Sequence, residues 1–474
     1  MFIKFIARII TLFSIIILTI GFFLFEENSF NIYYFIGNSA VIIICMGLFL
    51  YLMLSYLYVS EKKFIKNIFW LSLLLRLFSI LFISYILNNI SGGDIAVEEY
   101  DGVFYDYYGR ILSTYYSNGY FNSDIRYFFY DLEFDDKGYI FILSLLYFLF
   151  DNLLFAKIVQ GLFDTFSVIL IYKIAKEMFN EQIARITGIL YSVFFPIILI
   201  SSLHTKEVYM IFFLLLSIYY STKIIKRQYN IKNISLLLLA LIALFSMRLL
   251  LGVIVFISII YYLFLNQDKS YFAKIILPII VFVLFIGTLK YIGAYEQVGE
   301  KLGGYLGYET SEEIEIGGRS VEEIEKKGQT YAKYATVLLF IPQVIITPYP
   351  SIVKTNIKMY DTSMQWFFAG GLFIWSFLSF FAFIGIYQTI KFNFKKTSLI
   401  TIILGLYIIV LVASVYITSI RFNMPKLVLL LFFTAVGINY QFKNRKRNFI
   451  IYVVFISFLI LGWNYIKLAG RGMI

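Results

Sequence analysis

Long uninterrupted runs of apolar residues constrain this chain more than any other feature of its sequence. An α-helix needs about 20 predominantly apolar residues to cross the hydrocarbon core of a bilayer. Many runs within the 474 residues approach or reach that length, and only 15% of all residues are charged. The sequence therefore predicts an all-α membrane protein that crosses the bilayer many times.

The apolar runs fit about 13 transmembrane helices. The predicted spans are residues 9–25, 35–59, 68–87, 154–172, 183–203, 208–220, 234–247, 249–265, 275–289, 366–390, 399–418, 427–440 and 449–463. Basic residues collect in short loops on alternate sides of these spans, which is typical of cytoplasmic loops. We therefore expect two long extracytoplasmic loops, 88–153 and 290–365, that carry short interfacial helices.

The composition also narrows the cofactors and partners. The net charge of +11 is spread over short loops between spans, so we expect a lipid bilayer and no nucleic acid as partner. Cys45 is the single cysteine and His204 the single histidine, which excludes an internal disulfide and a histidine-rich metal site. No cofactor is certain from the sequence, and a divalent metal held by carboxylates stays open.

A polar, tyrosine-rich segment at residues 100–137 lies between apolar runs. Asp101, Tyr105 and Gly109 are spaced four residues apart and share one face of a helix. Either Asp101 or Asp106 is a candidate general base for an acceptor hydroxyl. Solvated loop carboxylates or helix caps explain the same pattern. The tyrosines fit either sugar stacking or an interfacial aromatic belt.

The predicted topology brings other polar residues to the same face of the membrane. Glu207 opens a predicted span, where it fits either a catalytic or metal-binding role or a stabilising acid in the first turn of a helix. His204 is more typical of an interfacial hydrogen-bonding group than of a metal ligand. Arg248 and Arg421 interrupt or end apolar runs, which fits either binding of a lipid phosphate or extension of the side chain to the headgroups. We expect Arg76 to pair with an acid of the external loop.

The order of these features resembles the GT-C class of membrane glycosyltransferases, which includes protein O-mannosyltransferases and the aminoarabinose transferases that modify lipid A. The resemblance covers residues 71–440. It consists of LLLRLFSI, then D-x-x-x-Y-x-x-x-G-R from Asp101 to Arg110, a proline-bearing span followed by HTKE, and finally ITPYPSIVK and RFNMPK. It implies residues 68–441 as a GT-C-like core, with two extra helices in 1–67 and a basic loop and last helix in 442–474.

The resemblance also implies roles for individual residues. Asp101 matches the catalytic carboxylate of the first loop, with Asp106 as the alternate, and Glu207 matches the second external acid. The residues expected at the carrier phosphate are Lys206, Arg248 and Arg421. The residues expected to contact the substrate are Tyr105, Arg110 and His204.

The implied reaction moves a sugar from a polyprenyl-phosphate carrier to an acceptor hydroxyl on a lipid, glycan or protein. The expected location is the extracytoplasmic face of a bacterial plasma membrane, in cell-envelope glycan or glycolipid assembly. A rival interpretation is a polymerase or ligase for undecaprenyl-pyrophosphate-linked polysaccharides, which a pyrophosphate donor would distinguish. A flippase or transporter is a third interpretation, although the sequence shows none of the internal repeats typical of transporters.

Overall fold

The computed structural model describes residues 2–24, 32–87, 100–119, 134–226, 230–266, 345–350, 359–413 and 420–469. All regular structure in these ranges is helical, which confirms the predicted all-α class. The α-helices are α1 (Phe2–Leu24), α2 (Ile32–Tyr56), α3 (Glu61–Leu81), α4 (Tyr100–Ser117), α5 (Phe134–Leu149), α6 (Leu153–Met178), α7 (Glu181–Val193), α8 (Phe195–Ile200), α9 (Glu207–Ile225), α10 (Ile231–Met247), α11 (Leu249–Asn266), α12 (Met359–Ala413), α13 (Ile420–Asn439) and α14 (Arg445–Ala469). A π-helix, Phe82–Leu87, continues α3.

Eight helical stretches within the described ranges are long and apolar enough to cross a membrane. They are Phe2–Gly21, Phe35–Tyr56, Glu61–Tyr85, Leu153–Met178, Glu207–Ile225, Ala369–Leu411, Ile420–Asn439 and Arg445–Tyr465. Ile231–Met247 and Leu249–Leu263 are shorter apolar helices. The predicted span 275–289 and residues 290–344 and 351–358 of the second predicted loop lie outside the described residues, so the count of about 13 spans stays a prediction.

The structure changes one of the predicted spans. The predicted span 183–203 breaks at Phe194, where φ is −73° and ψ is 102°, and α8 begins with Pro196 in its first turn. Proline has no N–H to donate to the preceding turn and its ring crowds that turn, so an apolar run can break just before it without losing its hydropathy signal. The predicted spans 366–390 and 399–418 correspond to two helices within α12, which meet at a kink in the non-helical backbone of Asn393.

One end of the bundle collects basic residues and is named here the basic end. Lys176 pairs with Glu61 at 2.5 Å, Lys223 pairs with Glu177 at 2.9 Å, and Arg185 Nη1 donates to the Tyr56 carbonyl at 3.0 Å. The other basic residues in the loops and helix ends that meet there include Lys173, Lys226, Lys396, Lys443, Arg445 and Lys446. Because α9 runs from Glu207 to this end over about 28 Å, Glu207 lies at the opposite end, named here the site end.

Helices α12 and α13 approach each other through a pair of glycines. A Cβ at Gly385 would lie 1.8 Å from the carbonyl oxygen of Phe433, and one at Gly437 would lie 1.9 Å from that of Phe381. Glycine lets two helix backbones come this close in a membrane protein, since it has no side chain to separate them. This contact fixes α13, whose first turn carries Arg421, against the rest of the bundle.

A buried ion pair connects α3 to α6. Arg76 Nε lies 2.6 Å from Asp164 Oδ2, and the two side chains are 0% and 1% exposed. Tyr191 of α7 donates to the other oxygen of Asp164 at 2.6 Å. The expectation that Arg76 pairs with an acid of the external loop is therefore wrong. Asp164 lies in an apolar helix on the side that faces α3, and the sequence of either helix alone does not show which faces meet.

Candidate active site

Five separate stretches of the chain meet at the site end. They are the first turn of α4, the first turn of α5, the turn 201–206 with the start of α9, the start of α11 and the start of α13. The turn 201–206 is held by Gln160 of α6, whose amide donates to the carbonyl oxygens of Ser201 and Leu203 at 3.3 and 2.5 Å. These bonds fix the turn before Glu207, the first residue of α9, so that Glu207 faces the other four stretches.

Arg421 joins two of the predicted carboxylates. Its Nη2 donates to Asp101 Oδ2 at 2.9 Å, and its Nε lies 3.4 Å from Glu207 Oε1. The Asp101 side chain is 48% exposed, the Arg421 side chain 13% and the Glu207 side chain 1%. The site therefore combines one accessible carboxylate and one buried carboxylate around a single guanidinium group.

Arg248 supplies a second guanidinium group to Glu207. It caps the C-terminus of α10, and its Nη2 lies 3.9 Å from Glu207 Oε1. The guanidinium also lies over the ring of Phe422, 4.4 Å from the centroid, a geometry in which the ring face attracts a cation. We name Asp101, Glu207, Arg248 and Arg421 the arginine cluster.

Glu207 has unused hydrogen-bonding capacity inside the arginine cluster. Among the described residues, neither carboxylate oxygen of Glu207 has a hydrogen-bond partner, and Arg248 Nη1 has none either. Two cations thus attract this buried carboxylate without saturating it, and Arg248 keeps a donor group available. Such a set of donors suits an anionic group that spreads charge over several oxygens, as a phosphate does.

A second cluster lies beside the first and involves residues that the sequence interpretation missed. Asp136 of α5 accepts from Lys206 Nζ at 2.6 Å and from the hydroxyl of Tyr105 at 2.8 Å. Asp135 accepts from the backbone N–H of Leu249 at 2.9 Å and so fixes the start of α11 next to Arg248. Lys206, predicted at a carrier phosphate, is therefore paired with a carboxylate. The adjacent acids in FDDKGYIF were the available signal, although acids also favour the first turn of any helix.

Asp106 and Arg110 belong to a third cluster. Arg110 Nε donates to Asp106 Oδ2 at 3.0 Å, Arg110 also pairs with Asp151, and the hydroxyl of Tyr147 donates to Asp106 Oδ1. The Arg110 guanidinium lies 4.6 Å from the centroid of the Tyr147 ring. The structure thus separates the two candidate bases on α4: Asp101 is paired in the arginine cluster, and Asp106 is held between α4 and α5.

His204 lies beneath the third cluster and is 1% exposed. Its two ring nitrogens lie 3.5 Å from the hydroxyl of Tyr139 and 3.4 Å from that of Tyr147. Burial, followed by the charge of Lys157, lowers the pKa of His204 to about 3. The imidazole is therefore neutral at neutral pH. Its position between two tyrosines agrees with a hydrogen-bonding group inside the protein, away from the exposed Asp101.

The sequence leaves open whether carboxylates at the site hold a divalent metal. In the part of the chain that the structure describes, no three side chains of His, Cys, Asp or Glu come together in a way that could hold a metal ion. Two of the acids at the site end, Asp101 and Glu207, are both paired with Arg421. The sequence leaves a carboxylate-bound divalent metal open, and the described residues do not decide it.

The described helices define an all-α, multi-pass membrane protein with a polar site at one end of the bundle. Residues 138–291, about a third of the chain, match the model of the dolichyl-phosphate-mannose-protein mannosyltransferase family. This match confirms the resemblance to the GT-C class within those residues. The matched part contains His204, Lys206, Glu207 and Arg248, whereas Asp101 and Arg421 lie outside it.

Two solved structures are similar at low identity. One is the archaeal oligosaccharyltransferase AglB from Archaeoglobus fulgidus in complex with an inhibitory peptide and a dolichol-phosphate, at 11% identity, a TM-score of 0.43, and coverage of 87% of this chain and 56% of that one. The other is an Archaeoglobus fulgidus oligosaccharyltransferase in the apo form, at 11% identity, a TM-score of 0.41, and coverage of 84% and 56%. The chain thus spans just over half the length of these solved proteins. A comparison with curated proteins finds no match.

Proposed function

We propose that this protein is a membrane glycosyltransferase that moves a sugar from a polyprenyl-phosphate carrier to an acceptor hydroxyl. The observation that carries the proposal is the position of Arg421, 2.9 Å from the accessible carboxylate of Asp101 and 3.4 Å from the buried carboxylate of Glu207. The family match over residues 138–291 supports the same class of reaction, since the matched family is named for a dolichyl-phosphate-mannose donor.

The distribution of basic residues supports an assignment of the site end to one side of the membrane. Most of the lysines and arginines that flank the described spans gather at the basic end, and loops rich in these residues stay in the cytoplasm. The site end then faces the extracytoplasmic side, where nucleotide sugars are absent. A sugar already attached to a lipid carrier meets this condition, because it brings the energy for transfer with it.

The arginine cluster provides the groups that the transfer needs. The acceptor hydroxyl attacks the anomeric carbon, and Asp101 takes its proton as the new glycosidic bond forms. The bond between the anomeric carbon and the phosphate oxygen breaks, and the polyprenyl phosphate leaves with the electron pair. Arg421 and Arg248 stabilise the negative charge that develops on the departing phosphate. A single displacement of this kind inverts the anomeric centre.

Glu207 has a different role in this proposal from Asp101. At 1% exposure its carboxylate is not accessible to an acceptor. Its charge instead holds the two guanidinium groups near each other before the carrier arrives, although they repel one another. Preorganised cations of this sort stabilise charge in a transition state without having to reorient during the reaction.

The proposal is tested by transfer of radiolabelled sugar from polyprenyl monophosphates into acceptors in proteoliposomes. Wild type is compared with Asp101→Asn, and Asp106→Asn is the matched control, since it lies on the same helix in another cluster. We expect Asp101→Asn to abolish transfer and Asp106→Asn to retain most of it. The reverse pattern would move the base to Asp106. Transfer only from pyrophosphate-linked oligosaccharides would replace the proposal with the polymerase or ligase interpretation.

A further inference from the structure

A cavity lies at the basic end, on the opposite side of the bundle from the arginine cluster. Its volume is about 450 Å³, and its walls come from the α6–α7 connection, the middle of α12 and the C-terminal end of α13. The non-helical backbone of Asn393, with φ −136° and ψ 17°, interrupts α12 where that helix lines the cavity. The two helices of α12 meet at this kink, and the cavity lies between the kink and the C-terminal end of α13.

The walls of this cavity are rich in uncharged polar groups. Five side-chain amides line it, those of Asn180, Gln388, Asn393, Asn439 and Gln441. The side-chain oxygen of Asn180 already accepts a hydrogen bond from the backbone N–H of Ile183 at 2.9 Å. Amides both donate and accept hydrogen bonds, so a wall of them suits a ligand that carries hydroxyl groups.

Thr389 adds a buried hydroxyl to these walls. The residue is 2% exposed and lines the cavity. Within the described part of the chain, its Oγ1 has no hydrogen-bond partner. A buried hydroxyl without a partner costs free energy in most proteins, and a ligand in the cavity would supply the missing bond.

The charge of the cavity is positive. Lys396 lines it, and none of the described residues that line it is acidic. The mouth also lies beside apolar side chains that are open to the bilayer: Tyr387 is 59% exposed, Ile390 50% and Phe392 65%. One end of a ligand here would meet a cation and amides, while the other end would meet an apolar surface that lipid chains cover.

We propose that this cavity binds the headgroup of an anionic glycerophospholipid of the leaflet at the basic end. The lipid phosphate contacts Lys396, and the hydroxyls of the headgroup bond to the amides and Thr389. The acyl chains lie along the exposed face of α12. The exposed apolar side chains favour a lipid over a soluble phosphate, because only the lipid would cover them. The site is separate from the arginine cluster and does not depend on the proposed transfer reaction.

Native mass spectrometry of the full-length protein in detergent tests this site. Phosphatidylglycerol is the probe, phosphatidylcholine is the zwitterionic comparison, and glycerol 3-phosphate is the soluble comparison. We expect phosphatidylglycerol to bind best, and Lys396→Gln to weaken that binding about tenfold, since hydrogen bonds to charged groups are among the strong ones. Thr389→Val should weaken it to a smaller extent.

Lys391→Gln is the matched control, because Lys391 lies on the same helix and does not line the cavity. Its phosphatidylglycerol binding should equal that of wild type. Equal loss in Lys396→Gln and Lys391→Gln would show general charge attraction and overturn the site. Equal binding of glycerol 3-phosphate and phosphatidylglycerol would overturn the assignment to a lipid. Thermal unfolding of each variant at the wild-type temperature verifies that it is folded.

Discussion

Oδ2 of Asp101 and Nη2 of Arg421 lie 2.9 Å apart although 320 positions of the chain separate them. One residue lies in the first turn of α4, and the other lies in the first turn of α13. Their contact joins the accessible carboxylate of the site to the guanidinium group that also approaches Glu207. Because the single side chain of Arg421 contacts both carboxylates, we expect its replacement to impair sugar transfer.

Arg421→Lys should lower the rate of sugar transfer at least about tenfold, because hydrogen bonds to charged groups contribute about 1.5–3 kcal/mol. Lysine keeps the positive charge but is a point charge on a flexible stem. It cannot hold the two carboxylates with the planar fork that arginine presents. The measurement is the initial rate with a polyprenyl monophosphate donor.

Arg447→Lys serves as the control for Arg421→Lys, since Arg447 is exposed at the basic end. Its rate should match that of wild type. Wild-type transfer by Arg421→Lys would show that charge alone suffices at this position and would remove the argument from fork geometry.

His204 should make the folded protein less stable as the pH falls. Its folded pKa is about 3, whereas an unfolded histidine has a pKa of about 6.5. The unfolded state therefore binds the proton more readily below pH 6.5, and folding loses up to about 1.4 kcal/mol per pH unit between there and pH 3. Above pH 6.5 the group contributes no pH dependence.

The check is the melting temperature of wild type and His204→Asn at pH 7.5 and pH 5. The wild type should lose more stability than the variant across this interval, since asparagine does not titrate. An identical loss in both proteins would mean that His204 is protonated or accessible in the folded state.

Gly437→Ala should destabilise the protein by about 1–3 kcal/mol, the usual cost of overpacking. The added Cβ would lie 1.9 Å from the carbonyl oxygen of Phe381, so α12 and α13 would have to move apart. The control is Gly405→Ala in α12, where nothing lies within 4 Å of the added carbon. Thermal unfolding should show a lower melting temperature for the first variant only. A wild-type value for Gly437→Ala would contradict the close approach.

Arg76→Met should destabilise the protein by about 3–5 kcal/mol, because it leaves the Asp164 carboxylate buried without its counter-charge. The double variant Arg76→Met/Asp164→Leu should recover most of that loss, since it removes both charges from the interior. Thermal unfolding of the two single variants and the double variant measures the coupling. Additive losses would show that the two side chains do not interact.

Much of the fold follows from local sequence. Apolar length predicts the helices well, and the chain starts α9 at Glu207 as the sequence interpretation expects. The break at Phe194 was missed because hydropathy is continuous across it, and only Pro196 carries the signal. Around Asn393 the sequence correctly separated two helices, although its polar residues suggested a loop and the two helices instead meet directly at a kink.

The site was predicted in part. The sequence singled out Asp101, Glu207, Arg248 and Arg421, which the structure brings together, although their chemical roles stay proposals. It did not separate Asp101 from Asp106, since both lie on one short helix and only packing against α5 and α13 distinguishes them. The pairing of Lys206 with Asp136 depends on how α5 docks, and no local pattern in the sequence encodes that docking.

The distance along the chain between Asp101 and Arg421 has a consequence for biogenesis. A ribosome makes the chain from the N-terminus, so Asp101, Glu207 and Arg248 enter the membrane well before the cation that completes their cluster. Until α13 is inserted, the buried carboxylate of Glu207 has only the more distant of its two guanidinium partners. Shortened chains that end before α13 therefore cannot contain the assembled site, and the protein acquires it only after α13 has been made.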